Sequence, residues 1–253
     1  MKAMILAAGL GTRLKPLTDR IPKALVEVEG VPMLERVILS LKRQGFNRIV
    51  VNTYHFPEQI KDFLSSKDFG VSIDISDETG ELLDTGGGIV KAMPLIFKDD
   101  NSPVLIHNVD ILSNADLRNV MKESEKSEGS VLLVSDRDSS RKLIFDSAME
   151  LKGWHDLKNG RYRPEEYESF QEESDNEYAF SGIYAMSYEA IEEMKNLLGT
   201  GRYSVMEYFL NSGRKENIKG FLQSGLKLID IGKPATLAQA SELLKDSNLD
   251  FFN

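Results

Sequence analysis

The chain has 253 residues, 31 Lys and Arg against 40 Asp and Glu, a net charge of −9 at pH 7, and no cysteine. That length suits one large α/β domain with a substantial core, the acidic balance excludes a basic nucleic-acid-binding surface, and the lack of cysteine excludes disulfides, thiolate nucleophiles and Cys-based metal sites. No apolar stretch approaches the roughly 20 residues that span a bilayer, and the short apolar start broken by glycine does not read as a signal peptide, so a cytoplasmic location with no membrane contact is expected.

The first element is an apolar strand, Ala3–Ala8, that runs straight into Gly9-x-Gly11-Thr12-Arg13. Lys23 follows Pro22, ten residues past Arg13. Glycines let backbone N–H groups approach a ligand closely and form an anion-binding concavity. Arg13 adds a planar, permanently charged fork for phosphate oxygens, and Lys23 a mobile point charge. Together they read as a polyphosphate site. It is not a P-loop, because Thr12 stands after the second glycine and no lysine follows in place. It is not the dinucleotide fingerprint either, because Leu14 occupies the third glycine position. Pro16 and Pro22 keep a helix from starting directly after the loop.

Met33–Gln44 has Met33, Leu34, Val37, Ile38 and Leu41 at helical spacing, with Gly45 where a helix ends. Arg48–Asn52 reads as a strand, Pro57–Leu64 as a helix with proline in its first turn, and Val71–Ile75 as a strand. Asp84-Thr85-Gly86-Gly87-Gly88 precedes an expected short helix, Gly88–Phe97. Such a glycine run lets a flat base or ribose lie against the backbone near helix N–H groups, or is simply a flexible loop with a cap. The strand Val104–His107 ends in His107-Asn108-Val109-Asp110. A carboxylate at a strand end, in a chain with a phosphate loop, is a Mg²⁺ ligand or a turn cap. His107 packs or hydrogen-bonds locally rather than ligating metal. A helix over Asp116–Lys126 and a strand over Ser130–Val134 complete the first half.

Past about residue 140 the helices thin out. Leu143–Phe145, Glu150–Trp154 and Tyr178–Ala185 read as strands, and Tyr162–Asn176, polar and aromatic, as a loop or flap. Helices are expected over Tyr188–Leu197 and Tyr203–Leu210, strands near Ile218–Leu222 and Leu226–Ile231, and a last helix over Ala235–Leu244. Asp230 sits inside an apolar run, a costly place for a carboxylate unless it is paired or metal-bound. Trp154 stands either in the core or against a ligand face. The pattern predicts an α/β fold: a Rossmann-like open mixed sheet, mostly parallel, covered by helices on both faces. A single domain over residues 1–253 is expected. In open α/β sheets ligands bind at the carboxyl ends of the strands.

The string Leu6–Thr18, L-A-A-G-L-G-T-R-L-K-P-L-T, followed by Pro22-Lys23-Ala24-Leu25 and Gly30-Val31-Pro32-Met33-Leu34-Glu35, resembles the opening of the sugar-1-phosphate nucleotidyltransferases. The likeness continues more loosely to Ile229-Asp230-Ile231-Gly232-Lys233-Pro234. It implies the nucleotide-diphospho-sugar transferase fold, with a nucleotide-binding half at 1–135 and a sugar-phosphate-binding half at 136–253, and transfer of a nucleotidyl group from a nucleoside triphosphate (NTP) to a sugar 1-phosphate. It implies catalytic roles for Arg13 and Lys23, Mg²⁺ on Asp110 and Asp230, and nucleotide contacts at Ala7, Ala8, Gly9, Gly11, Thr12, Thr85, Gly86, Gly87 and Asn108. Phe180-Ser181-Gly182-Ile183-Tyr184 resembles the strand beside the sugar and brings in Ser181 and Gly182. The family's Glu-Lys-Pro motif is replaced here by Lys152-Gly153-Trp154-His155, which leaves Lys142 or Lys152 to meet the sugar phosphate. No hexapeptide repeat follows, so no acetyl-transferring β-helix domain is expected. The compact length, the missing Glu-Lys-Pro and the Asp-Ile-Gly-Lys-Pro ending look like N-acetylmuramate-1-phosphate uridylyltransferases. A mannose- or heptose-1-phosphate guanylyltransferase, a phosphocholine cytidylyltransferase and a non-catalytic nucleotide-binding regulator are the alternatives. A homo-oligomer is left open, since nothing in the sequence locates an interface.

Overall fold

The computed structural model of the protein describes residues 1–126, 128–169, 172, 175–211 and 217–245. Strand β1 (Lys2–Leu6) leads through three short 3₁₀ turns to a small hairpin, β2 (Glu27–Val28) and β3 (Val31–Pro32). Then come α1 (Met33–Arg43), β4 (Arg48–Thr53), α2 (Pro57–Ser65), β5 (Ser72–Asp77), α3 (Asp84–Ile96), β6 (Val104–Asn108), β7 (Ile111–Ser113), α4 (Leu117–Ser124) and β8 (Ser130–Ser135). The second half comprises β9 (Arg141–Phe145), β10 (Leu151–Asp156), β11 (Arg161–Arg163), β12 (Asn176–Met186), α5 (Tyr188–Leu198), α6 (Val205–Asn211), β13 (Ile218–Leu222), β14 (Leu228–Asp230) and α7 (Pro234–Lys245).

Strand β1 lies at the centre of a parallel set, β5-β4-β1-β6, in which Lys2 pairs with both Arg48 and Val104. Strand β12 runs antiparallel against β6, β8 and β9. Strands β10 and β11 extend the antiparallel side, and β13 is parallel to β8. The β1 residues alternate between two cores. Ala3 and Ile5 pack with Leu34, Ile38, Ile60 and Val120 from α1, α2 and α4. Met4 and Leu6 pack with Ile89, Ile96, Ile191 and Phe209 from α3, α5 and α6. A strand covered on both faces has no polar side, which is why this one reads as an unbroken apolar run. The mixed, two-face-covered sheet is as expected.

Three details differ from the sequence reading. The helix expected from Gly88 starts at Asp84, so the glycines form its first turns. Glycine is a poor helix former, but here packing decides: a Cβ on Gly86 would lie 2.4 Å from the Tyr203 ring, and one on Gly87 would lie 2.2 Å from the Gly201 carbonyl oxygen. The segment read as a loop over Tyr162–Asn176 includes the end of β11 and a 3₁₀ turn, Glu165–Ser169, and its residues 170, 171, 173 and 174 lie outside the described residues. Strand β7, unread in the sequence, pairs antiparallel with β14, placing Ile111 opposite Asp230. A third apolar cluster, with Leu14, Val26, Met33, Leu112, Ile229 and Ile231, lies beneath α7 and fixes this small ladder. Among the described residues no helix is long and apolar enough to cross a membrane.

Candidate active site

The glycine loop leaves the carboxyl end of β1 pinned from two sides. The Ala7 N–H donates to Asn52 Oδ1 at 2.7 Å, and Asn52 Nδ2 donates to Glu78 Oε1 at 2.7 Å. Glu78 Oε2 accepts the Leu83 N–H at 3.0 Å. Glu78 is fully buried, and burial pushes its carboxyl up from the ordinary range. On the other side Gly11 adopts φ +64°, a conformation glycine takes without strain, and a Cβ there would lie 2.7 Å from Thr18 Cγ2. The Thr18 hydroxyl donates to the Gly11 carbonyl at 2.8 Å. Ala8, Gly9, Gly11, Thr12 and Arg13 then line a cavity of about 370 Å³, together with Lys23, Thr85, Asn108 and Asp110. Ala7 is buried behind it, its N–H already engaged.

The two carboxylates, 120 residues apart in the chain, meet through the β7–β14 ladder. The Ile231 N–H donates to the Asp110 carbonyl at 2.8 Å. Lys23 Nζ donates to Asp110 Oδ2, and both side chains are only 13% exposed. Asp230 is exposed, yet desolvation of its carboxyl raises it above its ordinary value and the neighbouring Asp110 raises it further, while Lys23 and Arg13 oppose both. The Arg13 guanidinium comes in over Gly232, beside Asp230. Two crowded carboxylates countered by two cations can hold a divalent ion that completes its shell with water and phosphate oxygens. Among the described residues no group of three or more His, Cys, Asp or Glu gathers to hold a metal. His107 is buried with Nδ1 on the Asn108 carbonyl at 2.8 Å, and burial pushes its pKa down to about 4.

Thr85 faces the cavity and ties it to the second half. Its hydroxyl accepts the Val205 N–H at 2.8 Å and lies 3.5 Å from Ser204 Oγ. Asp84 beside it holds φ +60° at the start of α3 and also faces the cavity. Gly86 and Gly87 do not line this cavity: the expected place for a base against them is filled by Tyr203 and Gly201.

On the sugar side, Gly182 sits at a bulge in β12 with φ +76°, and a Cβ there would lie 2.7 Å from Asn108 Nδ2. Ser181 is buried, with its hydroxyl accepting the Ile183 N–H at 3.1 Å. Neither candidate lysine lines the cavity: Lys142 Nζ donates to the Arg137 carbonyl at 2.9 Å, and Lys152 pairs with Asp146 at 3.5 Å. Arg137, whose Nη2 donates to the Phe180 carbonyl at 2.9 Å, lies within electrostatic reach of Asp230. Asn52, Glu78 and Arg137 carry no motif, and the only signal for Asn52 is a polar residue closing an apolar strand.

The sequence model described as nucleotidyl transferase matches residues 2–143. The N-acetylmuramate alpha-1-phosphate uridylyltransferase of Neisseria meningitidis is 44% identical over 117 residues, covering 46% of this chain and 49% of that protein. A mannose-1-phosphate guanyltransferase of Gibberella zeae is 35% identical over 145 residues, covering 56% of this chain and 39% of that protein. The matched stretch thus spans about half or less of these curated relatives. Among solved structures, HddC from Yersinia pseudotuberculosis superposes with a TM-score of 0.74 at 24% identity, over 96% of this chain and 99% of that one, a likeness of fold. The chain belongs to the nucleotidyl transferase family.

Proposed function

We infer that the protein transfers a nucleotidyl group from an NTP to a sugar 1-phosphate and releases pyrophosphate. The observation that carries this is the meeting of Arg13, Lys23 and Asp110 on the wall of one cavity, on the carboxyl side of β1 and β6, with Asp230 just outside the wall beside Asp110 and Arg13. An oxygen of the sugar 1-phosphate attacks the α-phosphorus in line, the new P–O bond forms, and the bond to the bridging β-phosphate oxygen breaks. The nucleophile is already anionic, so no covalent enzyme intermediate is required, and catalysis rests on positioning and charge stabilisation. Glycine-loop N–H groups cradle the triphosphate, Arg13 grips the departing pyrophosphate, and Lys23 neutralises phosphate charge next to Asp110. A divalent cation, Mg²⁺ by its taste for carboxylate and phosphate oxygens, would be held by Asp110 and Asp230 and supplies positive charge between two mutually repelling phosphates.

UTP with an amino-sugar 1-phosphate such as N-acetylmuramate 1-phosphate is the favoured pair, supported by the Neisseria relative. The second reading is guanylyl transfer to mannose 1-phosphate, supported by the Gibberella relative. Pyrophosphate release is the test, with UTP, GTP, CTP, ATP and dTTP each set against a panel of sugar 1-phosphates and phosphocholine. Release with one pair fixes base and sugar together. Arg13→Ala and Asp110→Ala are each expected to lower turnover on the order of 10²–10³-fold; near-full activity in either variant removes that residue from the chemistry.

A further inference from the structure

Thr85 closes one side of the cavity. Ser204, its hydrogen-bond neighbour, lines a second hollow of about 470 Å³. That hollow shares Arg141, Trp154, Arg163 and Leu210 with an outer groove of about 1000 Å³. The floor is the β9–β10–β11 ribbon. Trp154 is paired across the ladder with Leu143 and Arg163, and Asp156 with Arg141 and Arg161, so all six share one face.

The cations of this face differ in what they already hold. Arg163 is engaged by Glu207 at 3.0 and 3.3 Å. Asp156, which Arg141 attracts, hydrogen-bonds its own turn through the Lys158 N–H at 3.1 Å and Asn159 Nδ2 at 2.9 Å. Arg141 and Arg161, both exposed, donate no side-chain hydrogen bond to a described residue. Two guanidiniums with no hydrogen bond to a described residue on the wall of a groove, in a chain of net charge −9, mark a place for an anion. A guanidinium fork matches a carboxylate in two parallel hydrogen bonds. The half-buried Trp154 beside them offers an apolar platform for a sugar ring.

We propose that this groove is the sugar subsite and that Arg141, with Arg161 next to it, binds a carboxylate carried by the sugar. The substrate class is then a sugar 1-phosphate with an acidic substituent. The assignment rests on the nucleotidyl-transfer reading, because the hollow that joins this groove meets, at the Thr85–Ser204 contact, the cavity that reading fills with the triphosphate.

Matched sugars test it with the full chain at saturating NTP. N-acetylmuramate 1-phosphate is compared with N-acetylglucosamine 1-phosphate, and glucuronate 1-phosphate with glucose 1-phosphate. The wild type should prefer the acidic member of a pair. Arg141→Gln should cost the acidic member about tenfold or more in kcat/KM beyond its cost to the neutral one, with Arg141→Lys restoring part of the loss and the NTP KM unmoved. Arg141 is exposed on its strand, so folding is expected to survive, and circular dichroism checks it. Equal losses on both members, or a wild type that prefers the neutral sugar, overturn the carboxylate subsite and leave nucleotidyl transfer standing. Pyrophosphate from no sugar with any NTP overturns both.

Discussion

A methyl group on Gly232 would lie 2.5 Å from Arg13 Nη2 and 2.7 Å from Asp230 Oδ1. Both are side-chain ends that can move, so Gly232→Ala should alter stability by less than about 1 kcal/mol while displacing the guanidinium. A shift near 1 Å costs on the order of 10²-fold in rate; a variant with an unchanged melting temperature and unchanged kcat/KM rules out this role for Arg13. His107 gives a pH signature. Its pKa drops from 6.5 to about 4 in the folded chain, so protonation opposes folding. The stability is complete above pH 6.5 and is lost as pH falls toward 4, roughly 3 kcal/mol in all. His107→Asn should flatten that limb of the denaturation free energy plotted against pH; an unaltered slope refutes the assignment. At this scale, the residues that carry charge or glycine freedom at strand ends were legible: Gly9 to Arg13, Lys23, Asp110 and Asp230. Asn52 and Glu78 were not, because their importance lies in being buried against each other across β4 and the loop after β5, and no spacing along the chain reports that.

Among the elements, α3 shows where sequence pattern and packing part company. Three glycines in a row argue against a helix by propensity, yet only residues without a side chain let this helix press onto Gly201 and Tyr203. Gly87→Ala should therefore destabilise the protein, by about 1–3 kcal/mol or more, since overpacking against backbone cannot be relieved by a rotamer change. Chemical denaturation measures this, and a cost below about 0.5 kcal/mol contradicts the close approach. Strands in the apolar parallel set were readable because burial on both faces leaves long hydrophobic runs. Strand β7 and the β2–β3 hairpin are too short to carry a period, and β7 exists by virtue of a partner, β14, that comes much later in sequence.

For the molecule as a whole, the proposed nucleotide half and sugar half have no architectural boundary between them. Strand β8 ends at Ser135 but pairs with β12 and β13 from beyond it, and β12 lies directly against β6. The halves share one sheet, so thermal unfolding should be a single cooperative transition with calorimetric and van't Hoff enthalpies in agreement. Two resolved transitions contradict the shared sheet. A fragment ending at residue 143, where the family match stops, leaves β6 and β8 with open edges and is expected to aggregate.

The β7–β14 ladder also gives the site an order in time. Every residue proposed to grip the triphosphate precedes the end of β6, but Asp230 arrives on the last strand among the described residues. A nascent or proteolytically clipped chain that has the glycine loop and Asp110, yet lacks β14, can gather phosphate with half of its acidic pair missing. On the proposed reading, the site is completed only when β14 pairs with β7, and turnover would report that this late segment has docked.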